Sequence, residues 1–540
     1  RFREIVARHD TIAGYYGHCS VGCMHIRPLI NLKEESEMHK MVSIANAVSD
    51  LVLEFDGALS GEHGDGLARS HFNEKLFGPA LYNAFRQIKR AFDPNNILNP
   101  GKIVEAPAMT ESLKISPHYK TWEPRTTLDF SGQGGFVRAV EMCSGMAECR
   151  KKLEGTMCPS YMATLDEEHS TRGRANALRA VLSGKVPKEE FTGKRLHAVM
   201  DLCLECKACK AECPSNVDMA KLKYEFLDHY HRANGLPLRN RMFGSLERIN
   251  RAGSRLAPVS NWLANTIFNR WLMDVFVGID RRRPLPQFVR ETFEDWFRMR
   301  KSEGDGANGE VVLFHDTFNN FNTPEVAMAA ARFFERNHYR VLLVDKKCCG
   351  RPMISKGMLS QAKENAAWNV DRLAPFAAKG TPIVGLEPSC LLTLRDEYPE
   401  FLRAEAARQV ADHSFLFEEF VMRELHAGRI NVEDKGHGQS VLLHGHCHQK
   451  ALVGTASTVG LLRAAGFDVS EIDSGCCGMA GSFGFEKEHY DLSVAIGNRR
   501  LAPAVQATGA GVEIAAPGIS CRQQIAHLTG RRAKHPAEFL

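Results

Sequence analysis

The sequence predicts a multidomain protein that is α+β at its start, α-helical through a cysteine-dense middle and tandem α/β at its end. Three observations predict this. The first ~105 residues carry an amphipathic helix pattern beside short segments rich in Gly and His. A tight run of cysteines lies among short helical segments at about residues 137–235. From Val311 onward, apolar strands alternate with helices in an internal repeat, as parallel α/β units require. A chain of 540 residues is long enough for roughly three or four domains.

In the first region, Met38, Met41, Val42, Ala45, Val48, Leu51 and Val52 recur at three and four, which predicts one helix over about Glu34 to Phe55. A second helix precedes the turn signal Asp93-Pro94-Asn95-Asn96. Residues 106–136 are rich in Pro, Thr, Ser and Gly and read as a linker. Residues 236–305 carry helix signals and no cysteine, and end in the polar stretch Gly304 to Gly309. The repeat divides into halves at 306–430 and 431–540. Each half has an opening strand (Val311–Phe314; Val441–Leu443), a helix, a second strand, a Cys-Cys-Gly (Cys348-Cys349-Gly350; Cys476-Cys477-Gly478) and a third strand expected to end at one further cysteine, Cys390 or Cys521.

Bulk numbers exclude some classes. A net charge of +5 on an ordinary globular composition, 44% hydrophobic and 25% charged, gives no footprint for nucleic acid. No apolar stretch approaches the ~18 residues that span a bilayer. The first residues lack an initiator Met and a signal peptide and already read as amphipathic, so the chain is expected to begin inside a domain. Sixteen cysteines in Cys-x-x-Cys steps and adjacent pairs suit metal or cluster ligation better than disulfides, and imply a reducing compartment such as the cytoplasm.

The strongest motif is Cys203-x2-Cys206-x2-Cys209-x3-Cys213-Pro214, the bacterial ferredoxin run, whose fourth cysteine serves the other cluster in two-cluster proteins. Its partner is Cys143-x5-Cys149 with Cys158-Pro159, where Met146 stands in place of a further cysteine. By the crossing rule, Cys203, Cys206, Cys209 and Cys158 ligate one [4Fe–4S] cluster. Cys143, Cys149 and Cys213 then offer three thiolates, compatible with a three-iron cluster, a four-iron cluster with another ligand, or an empty site. Tetrahedral zinc is the alternative at either place. In the repeat, Cys447, Cys476, Cys477 and Cys521 form a complete set. Cys348, Cys349 and Cys390 lack a fourth member because Phe318 aligns with Cys447, so that half reads as degenerate or three-ligand. His446 and His448 flank Cys447 in supporting roles.

Residues 137–540 resemble the iron–sulfur subunit of glycolate oxidase and its heterodisulfide-reductase-like relatives. That resemblance implies a relay taking electrons from a flavin toward an acceptor, a quinone or a redox protein.

Near the N-terminus, His18, His25 and Glu62 offer two imidazoles and a carboxylate, a reasonable Zn-like divalent site, with His63 beside them as a candidate base. Packed or exposed histidines are the bland alternative. Gly17 to Arg27, Gly61-Glu62-His63-Gly64-Asp65-Gly66 and Phe92 to Lys102 resemble the C-terminal cap of FAD-linked oxidases, a family that includes D-lactate, glycolate and D-2-hydroxyglutarate dehydrogenases. The resemblance implies that His18, His25 and Glu62 are metal ligands and His63 the base. It implies that Asn99 approaches the flavin, where the glycines, Gly64 among them, let backbone come close, and that Arg27 contacts substrate. Ser20-Val21-Gly22-Cys23 replaces the family's Gly-Asp-Gly-Asn. The main FAD-binding domain is expected before the cap, since no Gly-x-Gly-x-x-Gly follows a strand here.

The expectation is therefore FAD- and iron–sulfur-dependent oxidation of a small 2-hydroxy acid. An electron-transfer module with a vestigial cap is the alternative. The aromatic stretch Trp262 to Phe297 either packs against the cluster domain or meets a membrane surface or a quinone-delivering partner, which would place the protein at the inner face of the membrane.

Overall fold

The computed structural model describes residues 1–301 and 303–540 and divides into two compact units, Arg1–Thr121 and Trp122–Leu540. In the first unit, β1 (Ala13–His18) and β2 (Cys23–Pro28) form an antiparallel hairpin with Tyr16 opposite His25 and His18 opposite Cys23. Gly22, at φ 65°, supplies the left-handed residue that its tight turn needs. The predicted helix runs Glu35–Glu54, with Glu35 and Glu37 in its first turn, where the helix dipole favours negative charge. A second helix, Asn73–Phe92, is broken at Gly78 (φ 77°), just before Pro79. Asp93 ends it by accepting hydrogen bonds from the backbone of Ile97 (2.9 Å) and Leu98 (2.8 Å).

Residues 101–130 hold no helix or strand, as a linker should, but their second half is not free. Leu128 and Phe130 are buried in the core of the second unit, and the Glu123 carboxylate caps the helix Phe136–Glu141. Apolar anchors override the loop-like composition there.

The cysteine-dense region is helical. Phe136, Leu178 and Phe226, each from a different helix, are fully buried together. Its core is continuous with that of the repeat.

The repeat forms two parallel sheets. The first has β3 (Glu310–Phe314), β4 (Arg340–Leu342), β5 (Ile383–Gly385) and β6 (Ser414–Leu416) in the order β4-β3-β5-β6. The second has β7 (Ser440–Leu443), β8 (Asp468–Glu471) and β9 (Glu513–Ala515) in the order β8-β7-β9. In place of a fourth strand, the second sheet has a single parallel bridge from Ala515 to Lys534.

Two expectations need correction. Cys390 and Cys521 do not end strands. They lie in the first turns of the helices Pro388–Leu402 and Ile519–Thr529, because β5 and β9 stop short and Pro388 opens a helix at its favoured first position. Phe318 is not the counterpart of Cys447. The loop after β7 is one residue longer than that after β3, so Cys447 and Thr317 are each the first residue of their helices.

Candidate redox centres

The hairpin places His18, Tyr16, His25 and Arg27 on one face, since directly opposed residues share a side and residues two apart along a strand do too. The 60s loop meets that face closely. A Cβ at Gly61 would lie 3.0 Å from the Cys23 sulfur, so glycine permits the approach. Glu62 thereby reaches three histidines: His25 Nε2 at 2.8 Å, His63 Nε2 at 3.2 Å and His18 Nε2 at 3.6 Å. The donor atoms of His18, His25 and Glu62 lie within 4.8 Å of one another, near enough for one cation. The group is half-exposed. Arg27 does not join it and stacks 5.5 Å from the Tyr16 ring. Gly64 (φ 70°) and Asn99 (φ 49°) both adopt left-handed backbone, and the Gly64 carbonyl accepts from Ser60 Oγ at 3.0 Å.

In the second unit, Cys158, Cys203, Cys206 and Cys209 line one small cavity. The loop between them carries left-handed backbone at Glu205 (φ 55°) and Lys207 (φ 60°), an uncommon state that the packed surroundings must hold and that turns backbone N–H groups inward. Burial pushes the thiols of Cys203, Cys206 and Cys209 up. Cys143, Cys149 and Cys213 gather nearby, where burial raises the first two further toward the thiol. Met146 is 64% exposed and offers them nothing.

Sequence reasoning missed Arg174. It is fully buried, with Nη1 3.6 Å from the Cys158 sulfur and 2.8 Å from the His169 carbonyl, Nη2 3.0 Å from Ser160 Oγ, and Nε 3.1 Å from the Val199 carbonyl. Its place in the helix Thr171–Leu182 falls on the apolar stripe of Ala175, Leu178, Val181 and Leu182, a signal of burial that its charge masks.

In the second half of the repeat, Cys447, Cys476, Cys477 and Cys521 form a hydrogen-bonded chain of thiols. A bond from Cys476 holds Cys447 down to about 7, and bonds from Cys476 and Cys521 hold Cys477 well below an ordinary thiol. His444 is a second residue not foreseen. With Cys477 and Cys521 it places three ligand atoms within 4.8 Å. Its signal was the histidine that follows the opening strand in both halves. His315, its counterpart, turns instead to Glu294 at 2.8 Å. In the first half, Cys348, Cys349 and Cys390 hydrogen-bond in series, and although the Cys349 bond lowers Cys390, burial and nearby negative charge lift it to about 12. Thr317 Oγ1, at the Cys447 position, is buried with no hydrogen-bond partner among the described residues.

All sixteen cysteines are free. The residues fit iron–sulfur clusters on their donor chemistry. Backbone N–H groups point at sulfur from Met219 to Cys209 (3.4 Å), Arg172 to Cys149 (3.3 Å), Arg351 to Cys349 (3.4 Å) and Gly478 to Cys476 (3.4 Å). Such bonds tune thiolate-held clusters. Buried thiols crowded together become stable thiolates once a cationic core replaces their protons. A cavity of about 150 Å³ reaches Cys447, Cys476 and Cys477, with Arg351 and His446 on its wall. Arg351 Nη1 bonds Glu397 at 2.6 Å, but Nε and Nη2 make no hydrogen bond among the described residues.

Comparison with known proteins agrees with this layout. Residues 1–103 match the C-terminal domain of FAD linked oxidases, residues 141–218 a 4Fe-4S dicluster domain, and residues 312–395 and 441–526 a cysteine-rich domain. One subunit of the anaerobic glycerol-3-phosphate dehydrogenase of Escherichia coli (strain K12) is 31% identical over 56% of this chain and 76% of its own length. The chain belongs to this family of cysteine-rich iron–sulfur proteins. Joined to that module is the cap of an FAD-linked oxidase. D-2-hydroxyglutarate dehydrogenases from Pseudomonas putida (strain KT2440) and Escherichia coli (strain K12) align with all of this chain at 28% and 26% identity. The chain spans 56% of their length. No solved structure matches.

Proposed function

We propose that this chain supplies the substrate-oxidising cap and the electron relay of a flavin-dependent D-2-hydroxy-acid dehydrogenase, with D-2-hydroxyglutarate, D-lactate or glycolate as the substrate class. The observation that carries this reading is the convergence of His18, His25 and His63 on one carboxylate, Glu62. FAD, when bound, supplies the hydride acceptor, and iron–sulfur clusters supply one-electron relays. His18, His25 and Glu62 would hold a Zn-like divalent cation, which lowers the pKa of a coordinated hydroxyl. His63 Nε2 takes the hydroxyl proton, and Glu62 at 3.2 Å stabilises the imidazolium that forms. Arg27, on the same hairpin face, pairs with the substrate carboxylate. Asn99 and Gly64 would face the flavin. Each turnover removes two electrons and two protons and leaves the 2-oxo acid.

Cys158, Cys203, Cys206 and Cys209 would hold the first relay centre, and Cys447, Cys476, Cys477 and Cys521 a further one. The apolar cavity beside the latter would take the terminal acceptor, a quinone, with Arg351 donating to a carbonyl oxygen.

The test uses the full-length protein purified without oxygen, offered a panel of the three acids, with flavin bleaching as the readout. His63→Ala and Glu62→Gln should each slow bleaching by roughly a hundredfold or more while cluster absorbance stays unchanged. Undiminished bleaching in both variants would leave the chain as an electron relay with a vestigial cap.

A further inference from the structure

The segment before the repeat is inverted with respect to water. Trp262, Ile267, Phe268 and Phe276 are 69%, 90%, 67% and 72% exposed, and Leu256, Val259, Leu263, Trp271 and Val275 are exposed among them. Two polar side chains of the same segment, Asn261 and Asp274, turn inward. Asn261 exchanges two 2.8 Å hydrogen bonds with the backbone of Phe288, and Asp274 is buried against Lys487 (2.7 Å) and Arg281 (3.5 Å). Three short helices, Val259–Asn265, Ile267–Leu272 and the π-turn Met273–Val277, carry this arrangement. Phe268 stacks on Trp271 at 6.3 Å, and Trp271 meets Phe276 edge-on at 6.4 Å. Scattered exposed apolar residues are ordinary, but a continuous aromatic surface of this kind marks an interaction site.

Charge identifies the partner. Residues 239–283 hold nine arginines against three acidic residues, so this short stretch carries more than the net charge of the whole chain. The acids are spoken for: Asp274 and Asp280 are buried in ion pairs, and Glu247 binds Arg251 at 3.2 Å. No exposed acid lies between Leu256 and Phe276. Arg248 and Arg255, at the edge of the apolar surface, are exposed and have no ion-pair partner among the described residues. A surface edged by arginine and without an exposed acid complements an anionic partner. Tryptophan and phenylalanine beside unpaired arginines match the boundary of an anionic bilayer. No helix among the described residues is long and apolar enough to cross a membrane.

We propose that residues 256–276 are an interfacial docking element that seats the protein on an anionic lipid bilayer. Trp262, Ile267, Phe268 and Phe276 enter the headgroup–acyl boundary, and Arg248 and Arg255 meet lipid phosphates. Other residues of the same helical region, Phe243, Leu246, Ile279 and Leu285, line the cavity that reaches Cys447 and Cys476. A lipid-soluble acceptor therefore has a short path from the bilayer to the cluster ligands. That last step rests on the proposed relay, whereas the docking does not.

Flotation of the full-length holoprotein with vesicles tests it. The protein should float with phosphatidylglycerol-containing vesicles, not with phosphatidylcholine alone, and less so as salt rises. Each arginine at an anionic surface is worth about fivefold, so Arg248→Gln with Arg255→Gln should weaken binding roughly 25-fold. Ile267→Ser with Phe268→Ser should abolish flotation. Substrate-driven flavin bleaching and reduction of a soluble dye should be unchanged in both variants, which separates failure of docking from failure of the proposed activity. Docking is overturned by a wild type that does not float, or by a serine variant that floats like the wild type. It is also overturned if light scattering shows a self-associated protein that the serine variant separates, which would make the face an interface between copies.

Discussion

Replacing Arg174 by methionine should lower the reduction potential of the cluster proposed at Cys158, Cys203, Cys206 and Cys209. The guanidinium is fully buried and donates toward the Cys158 sulfur from 3.6 Å. Reduction adds negative charge to the cluster, so a fixed cation beside it favours the reduced form. With an effective dielectric of about 20 and roughly 6 Å from the guanidinium to the middle of the four thiolates, one unit charge contributes about 3 kcal/mol. For a one-electron step that is about 120 mV. The same substitution takes the Arg174 donor from the Val199 carbonyl, while the His169 carbonyl and Ser160 Oγ keep their mutual 2.8 Å bond, so the stability cost is about 1–3 kcal/mol. Arg174→Lys keeps the charge and should recover most of the potential with less of the stability loss. The assay is a redox titration followed by low-temperature electron paramagnetic resonance, with iron and sulfide counted to show that the cluster is retained. An intact cluster whose midpoint moves by less than about 20 mV in Arg174→Met, well under one tenfold step, would refute the placement of this arginine against the cluster.

Buried groups elsewhere in the second unit lend themselves to direct measurement. Glu418 is buried with neither carboxylate oxygen hydrogen-bonded among the described residues, and burial raises it to about 7. Its raised value means that the folded state holds the extra proton, so stability falls as pH rises from about 4.5 to 7. Glu418→Gln should therefore stabilise the protein by about 3 kcal/mol at pH 8 and by little below pH 4, read as thermal midpoints at both. Arg283 is buried and bonds Gln524 Oε1 (2.6 Å), Ser493 Oγ (3.1 Å) and the Gly484 carbonyl (3.0 Å), so Arg283→Met, which removes the donor to these neutral acceptors, should cost about 1–3 kcal/mol in unfolding experiments. Thr317→Cys should complete the ligand set of the first half and raise bound iron by about four atoms per chain, whereas Phe318→Cys should not; equal iron in the two variants would show that the helix start does not define the ligand position.

Much of the architecture was legible because its signals are local. The three-and-four spacing from Met38 to Val52 matches the helix Glu35–Glu54 almost to the residue, and the apolar runs at Val311 and Val441 mark the central strands of both sheets. β6 was not legible: its three residues, Ser414-Phe415-Leu416, sit between two helices and are a strand only because β5 pairs with them. Likewise, Arg174 sits on the apolar stripe of its helix and His444 repeats the position of His315, but neither signal shows that cysteine sulfur lies beside it. Amphipathicity has no sign in a sequence. The pattern around Trp262 is the same whether its apolar side faces a core or solvent, and the fold decided it differently along the stretch, with Phe293 buried and Phe268 exposed. For the candidate site, spacing could name His18, His25 and Glu62, but only the close approach of Gly61 to Cys23 shows how two distant segments meet.

For the proposed activity, electrons must leave a hydroxy acid and arrive at thiolates gathered around Cys203. Oxygen-free full-length protein, mixed with D-2-hydroxyglutarate and frozen, should show a reduced [4Fe–4S] signal by electron paramagnetic resonance that Cys203→Ser removes. Bleached flavin with no cluster signal in protein that retains iron and sulfide, or a signal indifferent to Cys203→Ser, would contradict it.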